Sequence, residues 1–470
     1  MQTNIYAPVI GGNYADPSVI RVGADYYMTH SSYKLTPGLI IWHSCDLLQW
    51  KPVSAALTEF LGDVWAPDFV EHKGTYYIYF PANRSNWVVT APSPTGPWSR
   101  PVNLGISGID PGHTAGPDGK RYLHMSGGYI VELADDGLSV TGEPRRVYEG
   151  WRYPDDWVVE AYSLEGPKVT YRDGYYYLTV AVGGTAGPPT SHMAVSSRSR
   201  TPFGPWEHSP YNPIVHTYSA AERWWSKGHG SLIDSEDGRW WIVYHAYLNG
   251  FHTLGRQTLI QPIEWTEDGW FKTGDSELER RPPEEPFVDE FDGDALGLHW
   301  QCEGVGREER FSCARGALTA AGAPEDAPSS PLLFMPSHER YEAEVEVEAS
   351  AAGDAEGRVL LYYNDTAYFG MGVSARGVRH FRSFKNYYTV PGDGRKAWVR
   401  IRNDRHIVSF HYSFDGKSWA KYDKVIDASG FHHNTFGGFQ SLRIGLDAAG
   451  SGEVVFRRFI YRSAEGGDRL

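Results

Sequence analysis

One pattern, repeated five times in residues 1–270, restricts this chain more than any other feature. A polar side chain beside Pro or Gly is followed by a short apolar run, a polar turn and an aromatic run. Asp16-Pro17-Ser18-Val19-Ile20 leads to Tyr26-Tyr27-Met28, and Pro67-Asp68-Phe69-Val70 leads to Tyr76-Tyr77-Ile78. Asp110-Pro111-Gly112-His113 leads to Tyr122-Leu123-His124, and Glu165-Gly166-Pro167-Lys168-Val169 leads to Tyr175-Tyr176-Tyr177. His229-Gly230-Ser231-Leu232 leads to Trp240-Trp241-Ile242. A Gly-bearing turn between two apolar runs signals a hairpin. The stiff Gly166-Pro167 step then places Glu165 just before the first strand of its hairpin. The aromatic runs begin about 45 to 65 residues apart. Hairpins at that period predict a five-bladed β-propeller of about four strands per blade. Innermost strands of a propeller start around one channel, so Asp16, Asp68, Asp110, Glu165 and His229 should converge at one end of it.

Other segments of the chain fit this frame. Ser93-Pro94-Thr95-Gly96-Pro97-Trp98 and Thr201-Pro202-Phe203-Gly204-Pro205-Trp206 are near repeats, expected to end outer strands in turns that bury one Trp each. Residues 276–286 are charged and Pro-rich, as a stiff linker would be. Beyond it, Tyr341-Glu342-Ala343-Glu344-Val345-Glu346-Val347 alternates strictly, which predicts a strand with one wet face. Further strands are expected at 359–363, 398–402, 407–412 and 454–461, with a hairpin turn at Asp415-Gly416. Many short strands and no helix predict a β-sandwich over 287–470. The fold class is thus all-β: a propeller over 1–275, a linker, and a sandwich.

Composition excludes some roles. The net charge of −14 argues against nucleic acid and anionic membranes as partners. No run of 18 apolar residues exists, and Met1 to Pro8 lacks a basic-then-apolar leader, so the expectation is a cytoplasmic protein, or an exported one if a leader has been removed. The three cysteines, Cys45, Cys302 and Cys313, form no disulfide framework and should be free thiols. Self-association is left open.

Three carboxylates, Asp16, Asp110 and Glu165, precede or straddle a Gly or Pro step at what reads as one repeat position. Each motif alone is ordinary turn chemistry. Three in one position, among aromatics, suit glycosidic bond hydrolysis, which needs a proton donor at the leaving oxygen and a base for water. A third carboxylate nearby raises the acid's pKa by repulsion. His229 takes the same position in the fifth repeat and could bind substrate or a hydrated cation. No second His or acid at metal spacing supports a catalytic metal. Trp42, Trp65, Trp87, Trp224 and Trp225 could stack on sugar rings, although each alone is more often core. Trp65, three residues before Asp68, is the strongest candidate. Arg256 starts what should be the last propeller strand, where it could bond sugar hydroxyls or pair with a carboxylate. His113, His124, His192, His216, His245 and His252 receive no role.

Ala15-Asp16-Pro17-Ser18, Trp65-Ala66-Pro67-Asp68, Ile109-Asp110-Pro111, Leu164-Glu165-Gly166-Pro167 and Gly228-His229-Gly230 resemble glycoside hydrolase family 43, in order, over residues 8–270. The resemblance implies a five-bladed propeller of inverting enzymes acting on pentose-containing saccharides, with no cofactor needed for the chemistry. It implies Asp16 as general base, Glu165 as general acid and Asp110 as the group that tunes and orients the acid. It further implies substrate contact by Arg256, and a calcium ion or water near His229 on the axis. Residues 287–470 resemble the concanavalin-like C-terminal sandwich of β-xylosidases and α-L-arabinofuranosidases of that family. Close β-xylosidases begin with a His-Pro-Asp-Pro segment where this chain has Tyr14-Ala15-Asp16-Pro17, which leaves the terminal sugar open. The expected activity is an exo-acting inverting glycosidase for terminal β-D-xylose or α-L-arabinofuranose. The alternatives are an endo-arabinanase or galactan-cleaving relative, and a non-catalytic carbohydrate-binding propeller, whose sign would be loss of one acid.

Overall fold

The computed structural model describes residues 8–274, 285–305, 307–323, 330–392 and 394–464. Most of the expected linker therefore lies outside the described residues. The chain divides into two compact units: residues up to Gly250 with Arg256–Arg280, and Phe251–Gly255 with Arg281–Leu470. The short loop Phe251–Gly255, expected to be part of the propeller, is grouped with the second unit.

The first unit consists of five antiparallel blades. Their strands, from the inside out, are Ser18–Val22, Asp25–Thr29, Gly38–Ser44 and Lys51–Leu57; Asp68–His72, Thr75–Ala82, Ser85–Ala91 and Val102–Asn103; Gly112–Ala115, Arg121–Met125, Tyr129–Leu133 and Arg145–Arg146; Glu165–Arg172, Tyr175–Val182, Met193–Ser199 and Glu207–His208; and Trp224–Asp234, Trp240–Leu248, Arg256–Trp265 and Phe271–Thr273. The aromatic runs form the second strand of each blade, where alternation sends side chains into the seams between blades. Several phenols then bond across a seam. Tyr79 OH donates to Gly137 O (3.0 Å) and accepts from Arg121 Nη2 (2.9 Å), and Tyr176 OH donates to Ala115 O (3.1 Å). Arg21 Nη2 bonds Asp234 Oδ2 at 2.7 Å, joining the first blade to the fifth. The start of the chain closes the ring further. Val9 N donates to Thr258 O (2.9 Å), Thr258 N to Ile10 O (3.1 Å) and Tyr14 N to Arg256 O (3.0 Å). Trp98 and Trp206 are half-buried against the blade cores rather than fully buried.

The second unit is a sandwich of two antiparallel sheets over a shared apolar core. Arg340–Ala349 alternates as expected, with Tyr341, Ala343, Val345 and Val347 buried. Its other face is less wet than expected, because Glu342, Glu344 and Glu346 form an ion-pair ladder with Arg402, Arg400 and Lys396 on the adjacent strand. The remaining predicted strands appear as Glu356–Asn364, Lys396–Asp404, Ile407–Ser413 and Glu453–Ser463. Two one-turn helices, Arg307–Arg310 and His433–Phe436, interrupt a unit predicted to have none. All three cysteines are free. No helix among the described residues is long and apolar enough to cross a membrane.

Candidate active site

The innermost strands set the geometry. Their first regular pairs are Ser18↔Thr29, Asp68↔Tyr79, Gly112↔His124, Lys168↔Thr179 and Ser231↔Val243. Two residues ahead of these lie Asp16, Ala66, Asp110, Gly166 and His229. Asp16 (φ 59°), Asp110 (56°), His229 (59°) and Gly166 (61°) are all in the left-handed region. Four blades thus enter the channel through the same strained kink, which costs a non-glycine residue about 1–3 kcal/mol and clusters at functional sites.

This register corrects the repeat position read from sequence. Asp16, Asp110 and His229 share it, but Glu165 lies one residue earlier and Asp68 two residues later than Ala66. Glu165 also belongs to its strand, pairing with Ala181 across a bulge that ends at Lys168, rather than preceding it. Alternation gives each offset a consequence. Asp68 falls in a second layer with Ser18, Gly112 and Lys168. There its Oδ1 accepts from Lys168 Nζ (2.8 Å) and its Oδ2 from His113 N (2.7 Å), while Lys168 Nζ also reaches Pro67 O (2.6 Å). A Cβ on Gly112 would lie 2.1 Å from Pro167 O, so only glycine admits the fourth blade there. Asp68 is therefore a structural tie between blades, beneath the layer that carries the other acids.

Asp16 is enclosed by donors. Ser31 Oγ donates to its Oδ2 (2.5 Å), Arg256 Nη1 to its Oδ1 (3.2 Å), and its own N–H donates to His245 Nδ1 (3.1 Å). Burial alone would push its carboxyl up. The Arg256 guanidinium and the His229 ring overcome that and hold it well below the usual carboxylate range. Arg256 is itself buried, and its Nη2 donates to Tyr33 OH (2.6 Å). It begins the third strand of its blade, not the last, because Phe271–Thr273 pairs outside it. Of the two readings of Arg256, the structure shows the carboxylate pair.

Asp110 Oδ2 accepts from Gly166 N (3.0 Å) and Ser126 Oγ (3.3 Å). His229 stands between the two aspartates, Nδ1 3.7 Å from Asp16 Oδ1 and Nε2 3.4 Å from Asp110 Oδ2. Burial disfavours the imidazolium, but Asp16 and Asp110 prevail and raise its pKa. A Cβ on Gly166 would lie 2.7 Å from His229 Nε2, so the backbone beside Glu165 packs directly on that ring. Glu165 is half-buried, and its pKa is pushed up to about 7, first by burial and then by repulsion from Asp110. One pocket therefore drives two carboxyls in opposite directions.

Among the five tryptophans named from sequence, Trp65 alone is substantially exposed (39%); Trp42 and Trp224 are core, and Trp87 packs on the blade core. Trp65 follows Val64, whose backbone bonds that of Tyr33. The two ring nitrogens of His229 face different carboxylates, and the His, Asp and Cys donors close enough to share an ion among the described residues are Asp25, His43 and Cys45. Sequence reasoning missed Ser31, Tyr33, Lys168 and His245. Tyr33, Lys168 and His245 find their partners in other blades, while Ser31 meets Asp16 within the first blade.

A five-bladed propeller that presents a depressed carboxylate and a raised carboxyl in one axial pocket defines a glycoside hydrolase. Residues 5–271 match the model for glycosyl hydrolases family 43, and the chain belongs to that family, which is inverting. Residues 288–462 match the β-xylosidase C-terminal concanavalin A-like domain. The chain is 28% identical to a xylan 1,3-β-xylosidase of a Vibrio species, covering 91% of this chain and 92% of that one. It is 32% identical to the non-reducing end α-L-arabinofuranosidase BoGH43B of Bacteroides ovatus, over 62% of this chain and 60% of the relative. The crystal structure of GH43 BlXynB from Bacillus licheniformis superposes with a TM-score of 0.88 at 28% identity, covering 97% and 99% of the two chains.

Proposed function

We propose that this chain is an exo-acting inverting glycosidase that releases terminal β-D-xylose or α-L-arabinofuranose from xylan- or arabinan-derived oligosaccharides. The opposed shifts of Asp16 and Glu165 carry this reading. Glu165, still protonated near neutral pH, gives its proton to the glycosidic oxygen as the bond to the anomeric carbon breaks. Asp16, held ionised, takes a proton from the water that attacks that carbon from the opposite face. Asp110 fixes Gly166 N and so the position of Glu165, and its charge helps keep the acid protonated. Arg256 and His229 hold Asp16 ionised and line the sugar subsite with it, and Trp65 offers the stacking face. The pentose assignment draws on relatives named for xylosidase and arabinofuranosidase activity. The chemistry routes no step through a metal.

Hydrolysis of para-nitrophenyl β-D-xyloside and α-L-arabinofuranoside, with proton NMR of the first-formed sugar, tests the reading. At least one pentoside should be cleaved to the inverted anomer. Cleavage of neither, with cleavage of a galactoside, would overturn the pentose assignment.

A further inference from the structure

The sandwich carries a cavity of about 630 Å³ that the reaction does not use. Its walls follow from strand alternation. Val359 and Leu361, Phe369, Met371 and Val373, and Val378 all enter the sandwich core. Their neighbours Glu356, Arg358, Tyr368, Arg379 and Phe381 must then face the other side of the sheet, and these line the cavity. A glycine leaves room for the acidic wall. Gly372 lies opposite Arg358, and a Cβ there would come within 2.5 Å of the Glu356 carboxyl carbon.

The polar wall is built rather than incidental. Glu356 and Arg358 are 6% and 5% exposed. Glu356 Oε1 accepts from Arg358 Nε (3.0 Å) and Arg379 Nη2 (2.8 Å). At the rim, Phe384 is 69% exposed yet firmly placed. It sits in the two-residue turn between the paired Arg382 and Lys385, where Ser383 adopts φ 47°. Ser383 N donates to Tyr368 O (2.7 Å) and its Oγ to Thr366 O (2.9 Å).

We infer that this face of the sandwich is a second, non-catalytic binding site for a neutral oligosaccharide. A flat ring held at the edge of a cleft suits the C–H face of a sugar, and fixed guanidinium and carboxylate groups suit its hydroxyls. The cavity lies within the range of small-ligand sites, roughly 300–1,000 Å³. Carboxylates of Glu356 and Asp354 share the wall with the arginines, which disfavours a polyanion. The site goes beyond the proposed reaction and would hold polymer while the propeller trims chain ends.

The test is affinity electrophoresis of the full chain carrying Glu165→Ala, in gels containing soluble arabinoxylan, linear arabinan or galactan. Retardation by at least one polymer is expected, falling at least threefold in both Phe384→Ala and Arg376→Ala, Arg376 being a further exposed residue of the cavity lining. Both side chains are exposed, so the fold should persist, which equal melting temperatures would verify. With Glu165 restored, both variants should cleave para-nitrophenyl pentosides within twofold of the parent. No retardation by any polymer, or retardation unchanged in both variants, would overturn the site. Failure to cleave pentosides strikes the proposed substrate and leaves the binding result intact.

Discussion

Asp16 and Glu165 meet at one channel end, and their difference lies in their neighbours. Asp16 faces Arg256 and His229; Glu165 faces burial and another carboxylate. Raising Glu165 from the ordinary 4.5 to about 7 costs the native state about 3 kcal/mol above pH 7. Below pH 4.5 both states hold the proton and the cost vanishes. As pH rises towards 7 the unfolded chain releases it first, and the native state loses stability. Glu165→Gln should therefore melt several degrees above the parent at pH 8 and at the same temperature near pH 4.5. A gap that does not change with pH would contradict this. Activity needs protonated Glu165, so kcat/KM should fall on the alkaline side near pH 7. Removing one repelling charge with Asp110→Asn should move that limb to lower pH; an unmoved limb would deny Asp110 its role. The residue types were legible in sequence. Their partners were not, since Asp16 meets His245 and Arg256 across separations of 229 and 240 residues.

At the scale of elements, the five hairpins were legible because turn residues and aromatic runs are local signals. The offset of Glu165 and Asp68 from the shared position was not. For Glu165 it depends on a bulge in the fourth inner strand, and a bulge changes which face a side chain takes without changing composition; Asp68 stands two positions further along an inner strand that pairs without a bulge. Asp68 thus read as a fourth site acid, whereas it neutralises buried Lys168 and ties three neighbouring blades together. Asp68→Ala should cost about 3–5 kcal/mol, because it leaves a buried ammonium unpaired. Asp68→Leu combined with Lys168→Met should recover most of that loss in denaturant unfolding. If the double variant is no more stable than Asp68→Ala, the loss arises from something other than the stranded charge.

Over the whole molecule, the period of the repeat was enough to give five blades, and the change of pattern after residue 286 to give a separate sandwich. The closure of the ring was not readable, because residues 9–14 bond the fifth blade through backbone groups that carry no sequence signal. That closure brings Asn13 and Arg256 together beside Asp16, with Arg256 N donating to Asn13 Oδ1 at 3.0 Å. The assembled ring thus divides acid and base work between two carboxyls. Comparing leaving groups in Glu165→Ala and Asp16→Ala measures that division most directly. A dinitrophenyl pentoside departs without a proton, whereas an oligosaccharide needs one. Glu165→Ala should lose about 10²–10⁴-fold on pentose oligosaccharides and far less on the dinitrophenyl substrate, while Asp16→Ala should lose activity on both. Equal losses on all leaving groups in Glu165→Ala, or near-normal rates in Asp16→Ala, would contradict the assignment of acid and base.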